Sequence, residues 1–233
     1  MIFQEPSASL TPRLTAFASV TEPLAVLEPS MRRDQRRAVA ERLMHRVGLE
    51  PGHLDRYPHQ FSGGQRQRLA IARALSLEPK VIVADEPVSA LDVSVRAQVL
   101  ELMRELQRDL GIAYLFISHD MAVIEQVSHR VAVMWRGEIV EIGPAAAVLG
   151  DPRHDYTRRL IASVPIADPA RRSLRRQPDP DELVSPIRPV GWARVPTVMV
   201  EESPGRFVRR SSAASPPAEA PPRSTASEPL EFA

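Results

Sequence analysis

The sequence predicts an α/β fold, in which helices cover the faces of a mainly parallel sheet. Two short apolar runs, residues 81–84 and 113–117, are rich in residues that favour strands. The first run is unbroken by polar residues, as in a strand that is buried on both faces. Helical patterns follow each run, and this alternation is typical of an α/β sheet. Hydrophobic residues make up 43% of the 233 residues, which is enough to form a core.

The helical patterns come from apolar residues that recur every three or four positions. Gly48 and Gly111 mark the expected ends of two of these helices. Residues 1–30 contain four prolines and are expected to form a loop and a short connection. The predicted helices cover about 34–47, 62–77, 94–110 and 121–127.

The last part of the chain changes in character. Two strands, 130–135 and 138–142, are predicted around an Arg-Gly turn, with short helices at 145–149 and 156–163. After about residue 165 proline, serine and arginine become frequent. A small appended strand structure is expected within 184–209, and disorder within 211–233.

Composition excludes several classes of site. The net charge of +1 gives no general attraction to nucleic acid or to anionic membranes. Cysteine is absent, which excludes disulfides and thiolate metal sites. No apolar run reaches the roughly 18 residues that span a bilayer, and no signal peptide is visible, so we expect a soluble intracellular protein.

Two adjacent carboxylates, Asp85 and Glu86, follow the first apolar run. In open α/β sheets the carboxyl ends of the strands form the edge where ligands bind. Asp85 suits Mg²⁺, which prefers oxygen ligands, and Glu86 suits the orientation or deprotonation of a water that attacks phosphorus. The alternative for so short a pattern is a solvated acidic turn.

A glycine-rich helix start precedes this strand, at Ser62, Gly63, Gly64 and Gln65. Backbone N–H groups at a helix start lack intrahelical partners, and together with the helix dipole they favour an anion. The glycines allow the backbone to approach a phosphate closely. The alternative is an ordinary capped helix after a flexible turn.

Several other polar residues indicate a function only in combination with the acidic pair and the glycine-rich helix start. Ser89 and Asp92 lie in a short loop after the acidic pair, and His119 ends the second apolar run. If the two strands are neighbours, His119 lies beside Glu86, where it can bind a γ-phosphate and the attacking water; otherwise it is a polar strand end. Gln4 suits a Mg²⁺ ligand or a water-positioning group.

Taken in order, these elements resemble the ABC ATPase family over about residues 1–145. Phe61 stands where leucine is more usual in the family. The matching elements are Gln4 (Q-loop), 61–65 (signature motif), 81–86 (Walker B with the catalytic glutamate), 89–92 (D-loop) and His119 (H-loop).

Flanking residues narrow the resemblance to the oligopeptide, dipeptide, nickel and glutathione importer ATPases. Some members carry a cysteine cluster in their C-terminal extension, but this sequence has no cysteine, so an iron–sulfur site is not implied. The residues that look like this subfamily are 3–6, 9–13, 85–94, 154–160 and 164–165.

The resemblance implies a P-loop NTPase fold with a helical subdomain that binds ATP and Mg²⁺ and hydrolyses ATP. Glu86, His119 and Gln4 would then be catalytic, with Asp85 and Gln4 serving the metal. The signature residues Ser62, Gly63, Gly64 and Gln65 would cap the ATP of a second chain, and Ser89 and Asp92 would form the D-loop.

The resemblance also implies partners and a place. These are a second ABC ATPase subunit (identical or different), two transmembrane permease subunits and, indirectly, an extracytoplasmic solute-binding protein, with no nucleic acid. The transported solutes would be peptides or similar small molecules. The chain would sit on the cytoplasmic face of the inner or plasma membrane as a peripheral subunit.

The family's phosphate-binding loop, Gly-x-x-x-x-Gly-Lys-Ser/Thr, is not found in this sequence. The one lysine, Lys80, lies between Pro79 and the first strand, and the other twenty-nine basic residues are arginines. We therefore expect a partial fold, truncated at its N-terminus, that is inactive by itself. A truncated gene model, a split gene and a genuine partial subunit would each explain this.

The expected division has four parts. Residues 1–60 form the Q-loop and helical subdomain, 61–150 the signature, Walker B and H-loop part, 151–210 the C-terminal extension, and 211–233 a disordered tail. Two other functions stay open: a soluble ABC ATPase that acts on DNA or ribosomes, and an inactive fragment that only associates with a partner. The segment between Gln4 and Ser62 is too short for the long coiled coil common in the first class.

Overall fold

The computed structural model of the chain describes residues 1–5, 9–163 and 197–211. They fall into two compact units, Met1–His129 and the described part of Arg130–Ala233. Strands and helices alternate along the first unit, so the predicted α/β fold is confirmed. The expected disorder after residue 211 and the expected strands within 184–196 lie outside the described residues. Among the described helices, none is long and apolar enough to cross a bilayer.

The helices of the first unit follow the predicted positions closely, except at the N-terminus. Two short 3-10 turns, Pro51–Asp55 and Pro58–Gln60, lie in a segment predicted as loop. Gly111 has a φ of 62° and ends its helix in the left-handed conformation that glycine tolerates. The helices are α1 (Ala16–Leu27), α2 (Arg33–Arg46), α3 (Gly63–Leu75), α4 (Val93–Leu110) and α5 (Met121–Val127).

Helix α1 corrects the expectation of a loop over residues 1–30. Thr15 caps its first turn by accepting a hydrogen bond from the backbone N–H of Ala18 at 3.3 Å. Val20 and Leu24, one turn apart, are buried, and each contributes about 1.5–3 kcal/mol of apolar burial. This burial offsets the roughly 3 kcal/mol that a proline costs in a helix, so Pro23 is tolerated inside it.

The sheet of the first unit pairs β1 (Val81–Asp85) with β2 (Ala113–Ile117) in parallel, with Asp85 opposite Ile117. On the other side of β1, Ile2 forms a parallel bridge with Ala84. The Ile2 N–H donates to the Val83 carbonyl at 2.8 Å, and the Asp85 N–H donates to the Ile2 carbonyl at 2.9 Å. The start of the chain therefore lies along the strand that leads to the acidic pair.

Burial on both faces of these strands, which the sequence predicted, is wrong for the described residues. Ile82 and Ala84 are buried, but Val81 is 59% exposed and Leu115 is 58% exposed. The residues alternate because one face of the sheet packs into the hydrophobic core, whereas nothing among the described residues covers the other.

The second unit is built on an antiparallel sheet with the strand order β3-β4-β6-β5. The predicted hairpin, the two short helices and the appended strands over 197–209 are confirmed. Because β3 pairs with β4, the boundary between the compact units falls after residue 129, inside the predicted segment 61–150. The predicted division of the chain into four functional parts stays a prediction. The elements are β3 (Arg130–Trp135), β4 (Glu138–Pro144), α6 (Ala145–Gly150), α7 (Asp155–Ala162), β5 (Thr197–Ser203) and β6 (Arg206–Ser211).

A buried ion pair joins the strands of this unit to α7. Glu141 on β4 is fully buried and accepts a hydrogen bond from the Arg206 guanidinium at 2.7 Å. It also accepts from the backbone N–H groups of Arg153 at 3.1 Å and His154 at 2.9 Å. Burial by itself raises the pKa of Glu141, but these donors outweigh it and the pKa is lowered, so the carboxylate stays charged.

Candidate active site

Glu86 follows β1 directly and has a left-handed backbone, with a φ of 46°. This conformation is costly for a residue with a side chain, and it persists where the surroundings enforce it. Here the Glu86 N–H donates to the carbonyl of Ile117 at the end of β2, at 3.0 Å. The turn therefore ties the carboxylate to the carboxyl edge of the sheet.

Two side chains from other parts of the chain bind the Glu86 carboxylate. The Gln4 amide nitrogen donates to Oε2 at 2.9 Å, and His119 Nδ1 lies 2.9 Å from Oε1. Gln4 arrives through the Ile2 bridge to β1, and His119 arrives because β2 is the parallel neighbour of β1. The Glu86 side chain is 23% exposed and that of His119 is 75% exposed, so solvent and ligands reach the pair.

The contact between His119 and Glu86 constrains where protons lie. A neutral imidazole that donates from Nδ1 to the carboxylate has only a lone pair at Nε2. To donate from Nε2 to a phosphate oxygen while keeping the Glu86 contact, the pair must hold one more proton.

The residues predicted to hold Mg²⁺ offer a suitable set of donors. Asp85 is half-buried at the end of β1, next to Glu86. Gln4 uses its amide nitrogen on Glu86, which leaves its amide oxygen as a hard ligand. Among the described residues no group of three or more His, Asp or Glu is arranged for a metal. Two protein oxygens fit Mg²⁺, because this ion takes most other ligands from water and substrate phosphates.

The predicted signature residues open α3. The Ser62 hydroxyl accepts from the Gln65 N–H at 3.2 Å, and the Gln65 side chain accepts from the Ser62 N–H at 2.9 Å, which is a capping box. A Cβ atom on Gly64 would lie 2.4 Å from Val95 Cγ1, closer than any real contact. Gly64 therefore allows α3 to begin directly against the first turn of α4.

The predicted D-loop residues form the entry to α4. Asp92 caps this helix: its carboxylate accepts from the Val95 N–H at 3.0 Å and from the Ser94 hydroxyl at 2.8 Å. These hydrogen bonds lower the pKa of Asp92, so it stays charged. The Ser89 hydroxyl donates to the carbonyl of Glu86 at 3.1 Å, which connects the predicted D-loop to the sheet edge that carries Glu86.

The predicted residues thus form two groups. His119 lies against Glu86, as the sequence predicted for neighbouring strands. Gln4 also binds Glu86, which the sequence did not predict. The signature residues form a second group, which packs on α4 beside the predicted D-loop. In that loop, the Ser89 hydroxyl donates to the Glu86 carbonyl of the first group. No contact among the described residues joins the signature residues to Glu86 directly.

Sequence reasoning missed two residues near this site. Arg96 on α4 forms an ion pair with Asp120 at 2.8 Å, and Asp120 directly follows His119. Asp120 also caps α5, and an aspartate before an apolar helical pattern is a signal that would have found this cap. Arg96 had no such signal, because its partner is 24 residues away.

Two family models match parts of the chain. The model described as ABC transporter matches residues 1–89. The model described as the C-terminal region of oligopeptide/dipeptide transporters matches residues 140–186. The first includes the Q-loop, signature and Walker B residues, and the second overlaps the predicted extension.

Curated relatives match almost the whole chain. It is 56% identical over 208 residues to the Glutathione import ATP-binding protein GsiA of Pectobacterium atrosepticum, and 56% identical over 207 residues to GsiA of Escherichia coli. Each match covers 89% of this chain but 33% of the relative. The chain therefore spans about a third of the length of these relatives.

Solved structures show the same fold. The ATP-binding cassette MJ0796, a dimer in a post-hydrolysis state bound to ADP and Pi, has a TM-score of 0.53 at 32% identity and covers 62% of this chain and 61% of its own. The cbiO1 protein of Clostridium perfringens, part of the ABC transporter complex cbiONQ, has a TM-score of 0.57 at 27% identity, over 70% of this chain and 63% of its own. With the motif geometry and the relatives, these matches show that the chain is similar to part of the ATP-binding proteins of ABC transporters.

Proposed function

We propose that this chain supplies the hydrolytic edge of an ATPase that drives an importer for peptides or similar small solutes. The observation that carries the proposal is the Glu86 carboxylate, held between Gln4 and His119 at the carboxyl end of a parallel sheet. An acidic turn without a function would need neither donor. The similarity to ABC transporter ATP-binding proteins makes ATP the expected substrate.

In this proposal Glu86 orients and deprotonates the attacking water. Its two side-chain partners leave room for this, because a carboxylate has about four acceptor positions. Gln4 and His119 restrict the carboxylate to one orientation, and positioning of this kind is the main means of catalysis in phosphoryl transfer. His119, whose side chain is 75% exposed, would donate a hydrogen bond from Nε2 to the γ-phosphate.

Mg²⁺ would be held by Asp85 and the amide oxygen of Gln4, together with the phosphates. When bound, it neutralises charge on the phosphate oxygens. Gln4 would then touch both the ion and Glu86. The Gln4 amide would therefore link the metal site directly to the Glu86 carboxylate.

The signature residues would act on a nucleotide held by another ATPase domain. The start of α3 presents backbone N–H groups at Gly63 and Gly64, and its dipole favours an anion. Ser62 accepts the capping bond, and its hydroxyl proton stays free to donate to a phosphate. Because these residues do not contact Glu86, each chain of a head-to-tail pair would serve both sites.

The finer assignment rests on the relatives. GsiA proteins are named for glutathione import, and glutathione is a tripeptide, so a short-peptide substrate is the natural proposal. The partners would be a second ATPase domain, two permease subunits and a solute-binding protein outside the membrane. The chain would lie on the cytoplasmic face of the membrane, and the DNA- or ribosome-directed alternative receives no support from these relatives.

The assignment of Glu86 is tested in the assembled transporter, because the sequence itself holds no Gly-x-x-x-x-Gly-Lys loop. Glu86→Gln keeps the hydrogen bond acceptor but removes the base, so ATP turnover should fall at least a hundredfold while ATP binding stays within about twofold. Glu105→Gln, at an exposed position of α4, is the matched control and should hydrolyse ATP normally. Normal turnover by Glu86→Gln would refute the proposal.

The substrate class is tested by transport. Proteoliposomes that contain the permease, with ATP inside, should take up labelled glutathione or dipeptides only when the solute-binding protein and ATP are both present. Uptake of nickel but of neither peptide class would replace the substrate assignment and leave the ATPase assignment intact.

A further inference from the structure

We propose that Arg96 is a positioning residue that fixes His119 at the catalytic edge and links it to the D-loop. One end of its guanidinium group, Nη1, donates to Asp120 Oδ2 at 2.8 Å. The other end, Nη2, donates to the carbonyl of Leu91 at 3.4 Å. A single side chain thus contacts the D-loop and the residue that follows His119. The role of His119 itself rests on the function proposed above.

His119 needs such support because its own side chain is poorly held. It is 75% exposed, and its described contact is the hydrogen bond to Glu86. The orientation of the imidazole therefore depends on the backbone on either side of it. That backbone is fixed on one side by the end of β2 and on the other by Asp120.

Asp120 is where the support converges. Its backbone N–H donates to the Ser118 hydroxyl at 3.0 Å, which closes a tight turn around His119. Its Oδ1 accepts from the N–H groups of Ala122 at 3.1 Å and Val123 at 3.4 Å, which caps α5. Its other oxygen is bound by Arg96. Loss of Arg96 leaves the cap but frees this turn from α4.

Arginine suits this position better than lysine. The planar guanidinium group reaches two acceptors in different directions, whereas an ammonium group is a single point of charge. The Arg96 side chain is 27% exposed and that of Asp120 is 37% exposed, so solvent weakens the pair without removing it. Its precise geometry, rather than its contribution to stability, is the reason to expect a functional effect.

The test is a set of variants in the assembled transporter. Arg96→Met keeps most of the side-chain volume and removes both contacts, so kcat for ATP should fall about ten- to a hundredfold while KM for ATP stays within about twofold. The kcat of Arg96→Lys should lie between those of the wild type and Arg96→Met. Arg104→Met is the matched control: Arg104 lies on the same helix and also bonds a backbone carbonyl, at Gln126, away from His119.

Epistasis separates positioning from general damage. If Arg96 acts through His119, Arg96→Met should cause no further loss in a His119→Ala background. Equal losses in both backgrounds would overturn the proposal. If His119→Ala alone leaves turnover unchanged, the proposed function of His119 has failed instead.

A second measurement needs no ATP. In the purified chain, Arg96→Met should raise amide hydrogen exchange at Asp120 and Ala122 at least severalfold and leave α3 unchanged. Asp120→Asn, which keeps the helix cap, should show the same pattern if Arg96→Met fails to fold. Unchanged exchange in this turn, with unchanged kcat, would overturn the proposal.

Discussion

Two glutamates of this chain are each held by several donors, yet their surroundings differ completely. Glu141 is fully buried and is bound by a buried guanidinium group and by backbone N–H groups. Glu86 is 23% exposed and is bound by two side chains, Gln4 and His119, one of which is 75% exposed. One carboxylate is closed off from solvent, and the other can be reached.

The difference teaches which carboxylate is structural. Backbone donors cannot leave Glu141 without local unfolding, so its hydrogen bonds are part of the fold. The side-chain donors of Glu86 can rotate away, so its bonds can be exchanged for bonds to water or to a ligand. A buried charge is costly once a partner is removed, whereas a half-exposed one is rehydrated. Stability and activity should therefore respond oppositely to changes at the two sites.

The largest effect on stability is expected at Glu141. Glu141→Ala removes the partner of the buried Arg206 and should lower the free energy of unfolding by about 3–5 kcal/mol. Glu86→Ala, the matched change at the reachable site, should alter it by at most about 1 kcal/mol. Urea unfolding followed by Trp135 fluorescence, in a Trp192→Phe background, measures the unit that holds Glu141. Circular dichroism follows unfolding of the first unit, which holds Glu86. If the two variants lose comparable free energies of unfolding, the distinction between the two glutamates is wrong.

A smaller effect is expected where the signature helix meets α4. Gly64→Ala places a methyl group where Val95 Cγ1 lies 2.4 Å away, and such overpacking costs about 1–3 kcal/mol. Val95→Ala removes the obstruction, so the double variant should recover most of the thermal stability that Gly64→Ala loses. Gly63→Ala is the control, since its Cβ would lie 4.0 Å from Leu91. If Gly63→Ala and Gly64→Ala are equally destabilising, the close approach does not explain Gly64.

The sequence allowed much of the first unit to be predicted, because its signals are local. Apolar periodicity placed α2, α4 and α5, and the apolar runs placed β1 and β2. Helix α1 was missed since the four prolines of residues 1–30 were given more weight than the apolar repeat at Ala16, Val20 and Leu24. Burial of the strands was misjudged because it depends on what covers the sheet, and periodicity does not report that.

The site was predictable in part for a similar reason. The proximity of Glu86 and His119 followed from parallel strand order, so it was expected before the structure was known. The hydrogen bond of Gln4 to Glu86 was not, because it depends on the single bridge at Ile2. Contacts between distant side chains, such as Arg206 with Glu141, leave no pattern in one sequence.

The mildest perturbation that distinguishes the two sites is a change of pH. Burial is the main cause that lowers the pKa of His154 from its ordinary 6.5; Asp155 and Glu141 oppose this shift, and Arg210 and Arg159 add to it. The pKa of Glu141 is also lowered, from an ordinary 4.5. The unfolded chain therefore binds more protons than the folded chain, and stability falls as pH falls.

His154 should act first, below about pH 6.5, and Glu141 only below about pH 4.5. His154 Nδ1 accepts from the Tyr156 N–H at 3.1 Å and caps α7, and a proton on this nitrogen removes the acceptor. His154→Asn keeps a capping acceptor without a titrating group, so it should flatten the stability profile between pH 7.5 and 5.5. The same Trp135 fluorescence reports it, since Trp135 stacks on Tyr156 at 5.4 Å. If the wild type and His154→Asn lose stability equally over that interval, His154 does not cause the pH dependence. The buried surroundings of Glu141 then do not govern the protonation of His154.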